Sequence, residues 1–188
     1  MKKRLLFLLC CIVLQIHSQN EYVNQVLLLN EGSYDYYNDV VLDPVTIGAY
    51  DPVNNSYNTL IEVADARFAS DLIIDEPYFY VAADNKILKY DLNTYELISA
   101  VDMSGVRKIS IYNDYLIASR GDYDLTTYSA IVFDSYLHIY SKNDFSLLFS
   151  FDVDNGPAWS TESLLIHEDK LYVAINNAFD YGNYKGAA

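Results

Sequence analysis

The stretch LIIDEPYFYVA, residues 72–82, decides the fold, because versions of it recur along the chain. A shift of 37 residues places it on ISIYNDYLIA at 109–118, and a shift of 92 places it on LLIHEDKLYVA at 164–174. Each copy is an apolar run, a short polar turn and a second apolar run. This pattern predicts a β-hairpin in every copy.

A second strand-turn-strand element follows each hairpin. The stretch ILKYDLNTYELI at 87–98 matches LHIYSKNDFSLL at 137–148 and the residues from Ile47 to Val63. Each copy carries a tyrosine just before its turn, at Tyr50, Tyr90 and Tyr140. Large apolar residues alternate with polar ones along these runs, as a sheet with one wetter face requires. Two hairpins per unit predict a four-stranded antiparallel sheet.

A repeated four-stranded sheet is typical of a β-propeller, which packs such sheets face to face as blades around an axis. A β-sandwich also has many short strands, but its strands do not repeat their sequence so regularly. The units occupy residues 25–65, 70–102, 107–152 and, incompletely, 161–188. We therefore predict an all-β fold, an incomplete propeller with about three to four blades of an expected seven.

The first nineteen residues have the layout of a secretory signal peptide. Met1–Arg4 is basic, and Leu5–Ile16 is apolar apart from Gln15. Cys10 and Cys11 lie inside the apolar run rather than at its end, which disfavours a lipid anchor. We therefore predict a leader at 1–19, a partial propeller domain at 20–188, and an exported protein at the cell surface, with the periplasm as the alternative.

Removal of the leader makes the chain more acidic. Nine Lys and Arg then face 26 Asp and Glu, a formal charge of −17, and neither cysteine remains. Such a surface repels nucleic acid, which proteins bind through Lys and Arg. No other stretch approaches the roughly 20 apolar residues that span a bilayer. We therefore expect no nucleic-acid partner, no transmembrane segment after the leader and no thiol chemistry.

Several short motifs carry a family resemblance: LLNEG at 28–32, YDP at 50–52 and KLYVAINN at 170–177. With the leader, they resemble YncE-like propellers of the surface-layer type and, more narrowly, the exported DUF5074-like propellers of Bacteroidetes. The resemblance implies a seven-bladed ring, secretion and a C-terminal sorting domain. For some related surface lipoproteins it also implies capture of a corrinoid.

Catalytic and metal-binding motifs are absent from the sequence. His138 and His167 have no partner at a metal-ligand spacing, and we expect His138 to face solvent. No nucleophile elbow or phosphate-binding loop is present. Asp152–Gly156 begins like a calcium loop, but Ser163 replaces the glutamate at its twelfth position, which favours a turn. We predict no enzyme and no cofactor, with weak calcium binding left open.

Loops that differ in length between blades point to one rim of the propeller as a binding face, because loops vary where sheets cannot. The loop between the second and third strands is short at Asp84-Asn85 but long at Arg120–Ser129 and at Asn30–Pro44, and in the fourth unit it runs on through Phe179–Tyr181. Loops that join blades reach the same rim. The candidate binding residues are Asn30, Arg67, Asp84, Arg120, Trp159 and Asn176.

The leading hypothesis is a binding module for a protein or a small ligand. A metal-dependent propeller lyase or lactonase, and a structural role in the envelope, are the alternatives. A structural interpretation of single rim residues also stays open: Arg67 could pair with a carboxylate, and Trp159 could cap a blade interface.

Overall fold

The computed structural model describes residues 25–124, 126–127 and 129–176. Within these residues the chain forms fifteen strands and no helix, and every paired strand runs antiparallel to its neighbour. The all-β class predicted from the repeats is confirmed. The predicted leader and Phe179–Tyr181 lie outside the described residues.

The strands form four successive blades and one additional hairpin. Blade 1 pairs, in this order, β1 (Val26–Asn30), β4 (Val45–Asp51) and β5 (Ser56–Val63), and the additional hairpin is β2 (Ser33–Asp35) with β3 (Val40–Asp43). Blade 2 contains β6 (Ala69–Asp75), β7 (Tyr78–Ala83), β8 (Lys86–Asp91) and β9 (Leu97–Asp102). Blade 3 contains β10 (Val106–Tyr112), β11 (Tyr115–Arg120), β12 (Ser135–Ser141) and β13 (Leu147–Asp152). Blade 4 contains β14 (Thr161–His167) and β15 (Lys170–Ile175).

Strand β7 shows how the blades stack. Successive side chains of a strand point to opposite faces of the sheet. Phe79 and Val81 therefore pack into the core that blade 2 shares with blade 1, whereas Tyr80 and Ala82 pack into the core shared with blade 3. All four are fully buried. Burial stabilises the fold by about 1.5–3 kcal/mol for each large side chain, so β7 links two cores.

Blades 1 and 4 each leave one apolar face exposed among the described residues. In β1, Leu27 and Leu29 pack against blade 2, whereas Val26 and Leu28 on the other face are 37% and 40% exposed. In blade 4, Leu165 is 62% exposed. The described blades thus form an open stack in which blade 2 is covered on both faces.

The outer hairpin turns of the blades share one geometry. The carboxylate of Asp91 accepts the backbone N–H groups of Asn93 (2.8 Å) and Thr94 (2.9 Å), and these bonds lower its pKa. Asp51 closes the equivalent turn of blade 1 in the same way. The residue four places after Asp51, Asp91 and Ser141, their equivalent in blade 3, has a left-handed backbone, at Asn55, Tyr95 and Phe145.

The long segment between β1 and β4, predicted as a loop, contains a short hairpin. Here β2 pairs with β3 around a turn, and the carboxylate of Asp35 accepts the N–H groups of Tyr37 and Asn38. These strands have only three and four residues, too few for the alternation that identifies longer strands. Tyr36 and Tyr37 are 46% and 96% exposed on this hairpin.

The prediction that His138 faces solvent is wrong. A shift of 50 residues places it on Leu88, which is buried, and His138 itself is only partly exposed. Its Nδ1 atom lies 2.9 Å from the hydroxyl of Tyr140. Burial, with the Arg120 guanidinium nearby, lowers the pKa of His138 to about 4.

Candidate functional site

The first strands of blades 2, 3 and 4 each contain a β-bulge near their beginning. The pairing register shifts between Ala69 and Asp71, between Val106 and Ile109, and between Thr161 and Leu164. A bulge takes residues out of the ladder and re-aims their side chains. The bulged residues are Ser70 in β6, Arg107 and Lys108 in β10, and Glu162 and Ser163 in β14.

These bulged positions are equivalent in the repeat but differ in chemistry. The shifts of 37 and 92 residues that superpose the hairpins also place Ser70 on Arg107 and on Glu162. The position before each of these residues is buried and holds Ala69, Val106 or Thr161, whereas the position after it holds Asp71, Lys108 or Ser163. Since the backbone geometry is the same, it does not explain why a hydroxyl, a guanidinium and a carboxylate occupy one position.

The bulged side chains form a connected polar network. Arg107 and Glu162 make a two-point ion pair, with Nη2 to Oε1 at 2.5 Å and Nε to Oε2 at 3.2 Å, and their side chains are 26% and 20% exposed. The hydroxyl of Ser70 donates to the carbonyl of Arg107 at 2.5 Å, and the ammonium of Lys108 donates to the carbonyl of Ser70. Two-point geometry holds the guanidinium and the carboxylate in fixed orientations.

An open cavity of about 260 Å³ lies over this network, and we call it the inner groove. Its lining combines charged, polar and aromatic side chains from three blades and from the segment after β1: Glu31, Phe68, Ala69, Ser70, Arg107, Lys108 and Glu162. Such a mixture of a ring surface with fixed donors and acceptors is typical of ligand sites.

A second cavity of about 140 Å³ adjoins the groove and shares Glu31, Phe68 and Arg107 with it; we call it the tyrosine annex. Tyr36 from the additional hairpin and Tyr123 from the long loop of blade 3 line it. Burial raises the pKa of Tyr36, and the neighbouring Tyr123 raises it further. The two longest rim loops therefore bring their tyrosines to one wall of the site.

Arg67 and Asp84, both predicted as rim residues, lie together beside the annex. Arg67 Nε donates to Asp84 Oδ2 at 2.8 Å, and its Nη2 also reaches Asp122 at 3.4 Å. These bonds raise the pKa of Arg67 above its ordinary range. Arg67 thus pairs with a carboxylate, as the structural interpretation of this residue predicts. Its side chain is nevertheless 21% exposed and lines the annex.

Asn176 and Trp159 lie at the blade 4 side of the same rim. The Asn176 amide donates to Glu162 Oε1 at 3.1 Å, so it supports the ion pair of the groove. Its backbone N–H donates to the carbonyl of Ser160, next to Trp159. Trp159 is partly exposed and lines neither the groove nor the annex.

Arg120 and Asn30 do not line the groove, although Asn30 lines another open cavity together with Glu31. Arg120 donates from Nε to the carbonyl of Ser135 at 2.5 Å and lies over the ring of Phe133, with 4.2 Å to the ring centre. Asn30 donates to the hydroxyls of Thr46 and Tyr57, both at 2.9 Å, on the exposed face of blade 1. Of the six predicted residues, Arg67, Asp84 and Asn176 thus contact or line the groove and the annex, whereas Trp159, Arg120 and Asn30 line neither.

The residues that line the groove were missed in the sequence analysis. Ser70, Arg107 and Glu162 are three positions beyond Arg67 and its equivalents in the same superposition. A comparison of side-chain chemistry at every superposed position would have singled them out, since apolar strands rarely place charged residues there without a reason.

Two further observations concern ions and membranes. Among the described residues no group of three or more His, Cys, Asp or Glu side chains is placed to hold a metal ion. Asp152 accepts the N–H groups of Asp154 (3.0 Å) and Asn155 (2.9 Å) and so closes a turn. The described part of the chain contains no helix long and apolar enough to cross a membrane.

Comparison with solved structures supports the arrangement of the blades. The fold is similar to a chain in the crystal structure of the mitotic checkpoint complex, with a TM-score of 0.51 and 14% identity over 84% of this chain. The described chain is an incomplete β-propeller. The propeller is also similar to two crystal structures of the extracellular domain of BT4673 from B. thetaiotaomicron, described as a putative one-component and a putative hybrid two-component system. These two have TM-scores of 0.52, identities of 16% and 14%, and cover 81% and 84% of this chain.

The propeller spans only part of each of these neighbours. It covers 50% of the first chain, and 20% and 21% of the other two. No protein-family model matches the sequence, and no curated protein matches it. At these identities the likeness concerns the fold alone, and the YncE-like or DUF5074-like resemblance stays a prediction.

Proposed function

We propose that this propeller is an exported binding module that captures its ligand in the inner groove. The observation that carries the proposal is the set of repeat-equivalent bulges, which place Ser70, Arg107 and Glu162 around one open cavity. Packing does not require different polar groups at equivalent positions, whereas recognition of an asymmetric ligand does.

The hydrogen bonds in the groove favour binding over catalysis. The Ser70 hydroxyl donates to a backbone carbonyl, so no base is in position to take its proton. Arg107 and Glu162 hold each other in a two-point pair, which presents fixed donors and acceptors. Fixed groups reduce the entropy lost when a ligand binds.

The cell-surface setting rests on two independent observations. Residues 1–19 have the layout of a secretory leader. Two of the neighbouring structures are of the extracellular domain of one B. thetaiotaomicron protein, BT4673. A binding module on the outside of the cell is consistent with both.

A thermal-shift screen of the full chain tests the proposal. The panel contains amino acids, sugars, nucleosides, organic acids and cobalamin, each at saturating concentration. A ligand at 100 times its Kd stabilises the native state by about 2.7 kcal/mol, which raises Tm measurably. We expect the shift to vanish in the double variant Phe68→Ala/Arg107→Ala.

The matched control is Val53→Ala/Lys170→Ala, which changes two exposed residues of hairpin turns away from the groove. It should keep the full shift. A second variant, Arg67→Ala, changes a residue that lines the annex but not the groove and should weaken binding less. Ligand shifts that persist unchanged in Phe68→Ala/Arg107→Ala would place the binding site elsewhere.

A further inference from the structure

Two charges in the inner groove lack an ionic partner. Arg107 is paired with Glu162, but among the described residues neither Glu31 nor Lys108 has an opposite charge within 4.0 Å. The Lys108 ammonium makes one hydrogen bond, to the carbonyl of Ser70, and an ammonium has three donors. One cavity thus offers an unpaired anion and an unpaired cation.

A ligand with a single charge fits this cavity poorly. An anion would satisfy Lys108 but would also meet the carboxylate of Glu31, and a cation would meet the opposite conflict. A neutral ligand would form an ion pair with neither of these two groups. A ligand with one charge of each sign satisfies both, through hydrogen bonds that are about twice as strong as neutral ones.

The size of the groove limits the ligand further. A volume of about 260 Å³ corresponds to roughly nine molecules of liquid water. This space holds a ligand of about ten non-hydrogen atoms and is far smaller than a corrinoid. A ligand whose two charges lie only a few bonds apart fits into a space of this size.

We infer that the inner groove binds a free α-amino acid, an inference that rests on the proposed function. The ammonium of the ligand binds to Glu31, beside the rings of Phe68 and Tyr36, whose faces attract cations. The carboxylate binds to Lys108 and to the adjacent Arg107. The side chain of the ligand extends toward the tyrosine annex.

Isothermal titration calorimetry on the unaltered full chain gives the first test. The twenty common L-amino acids are titrated one at a time, and the tightest is compared with its N-acetyl derivative and its amide. Each derivative removes one charge and keeps the rest of the molecule. We expect both to bind at least tenfold more weakly than the amino acid, with glucose and acetate showing no binding.

Two charge-neutral variants give the second test. In Glu31→Gln the amino acid and its N-acetyl derivative should bind within threefold of each other, because the group that recognises the ammonium is gone. In Lys108→Gln the amino acid and its amide should become similar for the corresponding reason. Glu76→Gln and Lys170→Gln, at exposed hairpin turns, are the controls and should keep the full discrimination.

The outcomes separate this inference from the proposed function. Binding of another class of ligand that is lost in Phe68→Ala/Arg107→Ala, with no amino acid bound, would overturn the inference and keep the function. Derivatives that bind as tightly as the amino acid would also overturn it. An amino acid that binds equally well to Glu31→Gln and Lys108→Gln would place its site outside the groove and contradict both.

Discussion

The inner groove and the outer hairpin turns occupy equivalent positions in successive blades, yet they differ in how much their chemistry varies. At the turns, Asp51 and Asp91 accept the same pair of backbone N–H groups, and a left-handed residue follows at the same distance. At the groove, equivalent bulges hold a serine, an arginine and a glutamate.

This difference distinguishes positions whose chemistry the fold requires from positions where the fold accepts different side chains. A turn has unpaired N–H groups that a side-chain oxygen must satisfy, so its chemistry repeats. A bulged residue is outside the ladder and free to vary. We therefore expect substitutions at the turns to change stability alone, and groove substitutions that leave no ion unpaired to change mainly binding.

The largest expected effect is on the turn side of the comparison. Phe145 has a left-handed backbone in the outer turn of blade 3, is buried, and packs edge-on against Tyr80, with ring centres 6.2 Å apart. Phe145→Ala keeps the backbone strain but removes the packing. We expect the free energy of unfolding in urea to fall by about 3 kcal/mol, with ligand affinity unchanged.

Leu148→Ala is the matched control for Phe145→Ala. Leu148 lies three residues further along the same blade and is 51% exposed, so its loss should change stability by less than about 0.5 kcal/mol. A similar loss in both variants would mean that the buried turn residue has no special role.

The next effect concerns His138, which replaces the apolar Leu88 at an equivalent position. Burial lowers its pKa in the folded state to about 4, whereas the unfolded chain has an ordinary value near 6.5. Protons therefore bind the unfolded state more readily. The contribution of His138 to stability is therefore fully present above about pH 6.5, is lost as the pH falls from 6.5 to 4, and does not change further below pH 4.

Substitution by the residue of blade 2 tests this assignment. His138→Leu should match the native chain in urea at pH 7 and exceed it by about 1–2 kcal/mol at pH 5, a value reduced for partial exposure of the ring. Carboxylates titrate in both proteins, so the difference between the two pH profiles isolates the histidine. Parallel profiles would show that His138 is not held neutral by burial.

Much of the fold is predictable because packing and turns impose recurrent patterns. The hairpins of blades 2 and 3 follow from apolar runs that alternate between two cores, as Phe79 and Tyr80 do in β7. The turn at Asp91 follows from the need to satisfy N–H groups. Local physics determines these features, so they appear in the residues themselves.

The site is less predictable because it depends on contacts between blades. The bulge at Ser70 leaves no local sequence signal, and only superposition with Arg107 makes it visible. The alternation of residues along β1 does predict the face on which Asn30 lies, because Asn30 shares that face with the exposed Leu28. The contribution of Tyr36 depends on a hairpin too short to show a period.

A smaller effect is expected from loss of one turn carboxylate. Asp91→Ala removes the acceptor for the N–H groups of Asn93 and Thr94 and should lower the free energy of unfolding slightly. Asp91→Ser copies Ser141, the equivalent residue of blade 3, whose hydroxyl accepts one such N–H at 3.3 Å. Urea denaturation should therefore rank Asp91→Ser between the native chain and Asp91→Ala, and the reverse order would contradict the shared turn geometry.

The smallest expected change in stability comes from the groove. Arg107→Gln/Glu162→Gln removes both charges of the ion pair and leaves neither ion unpaired in a partly buried place. Pairs with this exposure contribute little net stability, so the free energy of unfolding should change by less than about 0.5 kcal/mol. Binding of the best amino acid in calorimetry should nevertheless weaken at least tenfold, because two-point orientation of the donors is lost.

The single variants sharpen the same comparison. Arg107→Gln leaves Glu162 without its cation and Glu162→Gln leaves Arg107 without its carboxylate, so each should be less stable than the double variant. That order of stabilities would show that each residue affects the stability of the fold only by neutralising the charge of the other. A double variant that loses as much stability as Phe145→Ala would mean that the bulged positions are constrained by packing, and the contrast between groove and turns would no longer indicate function.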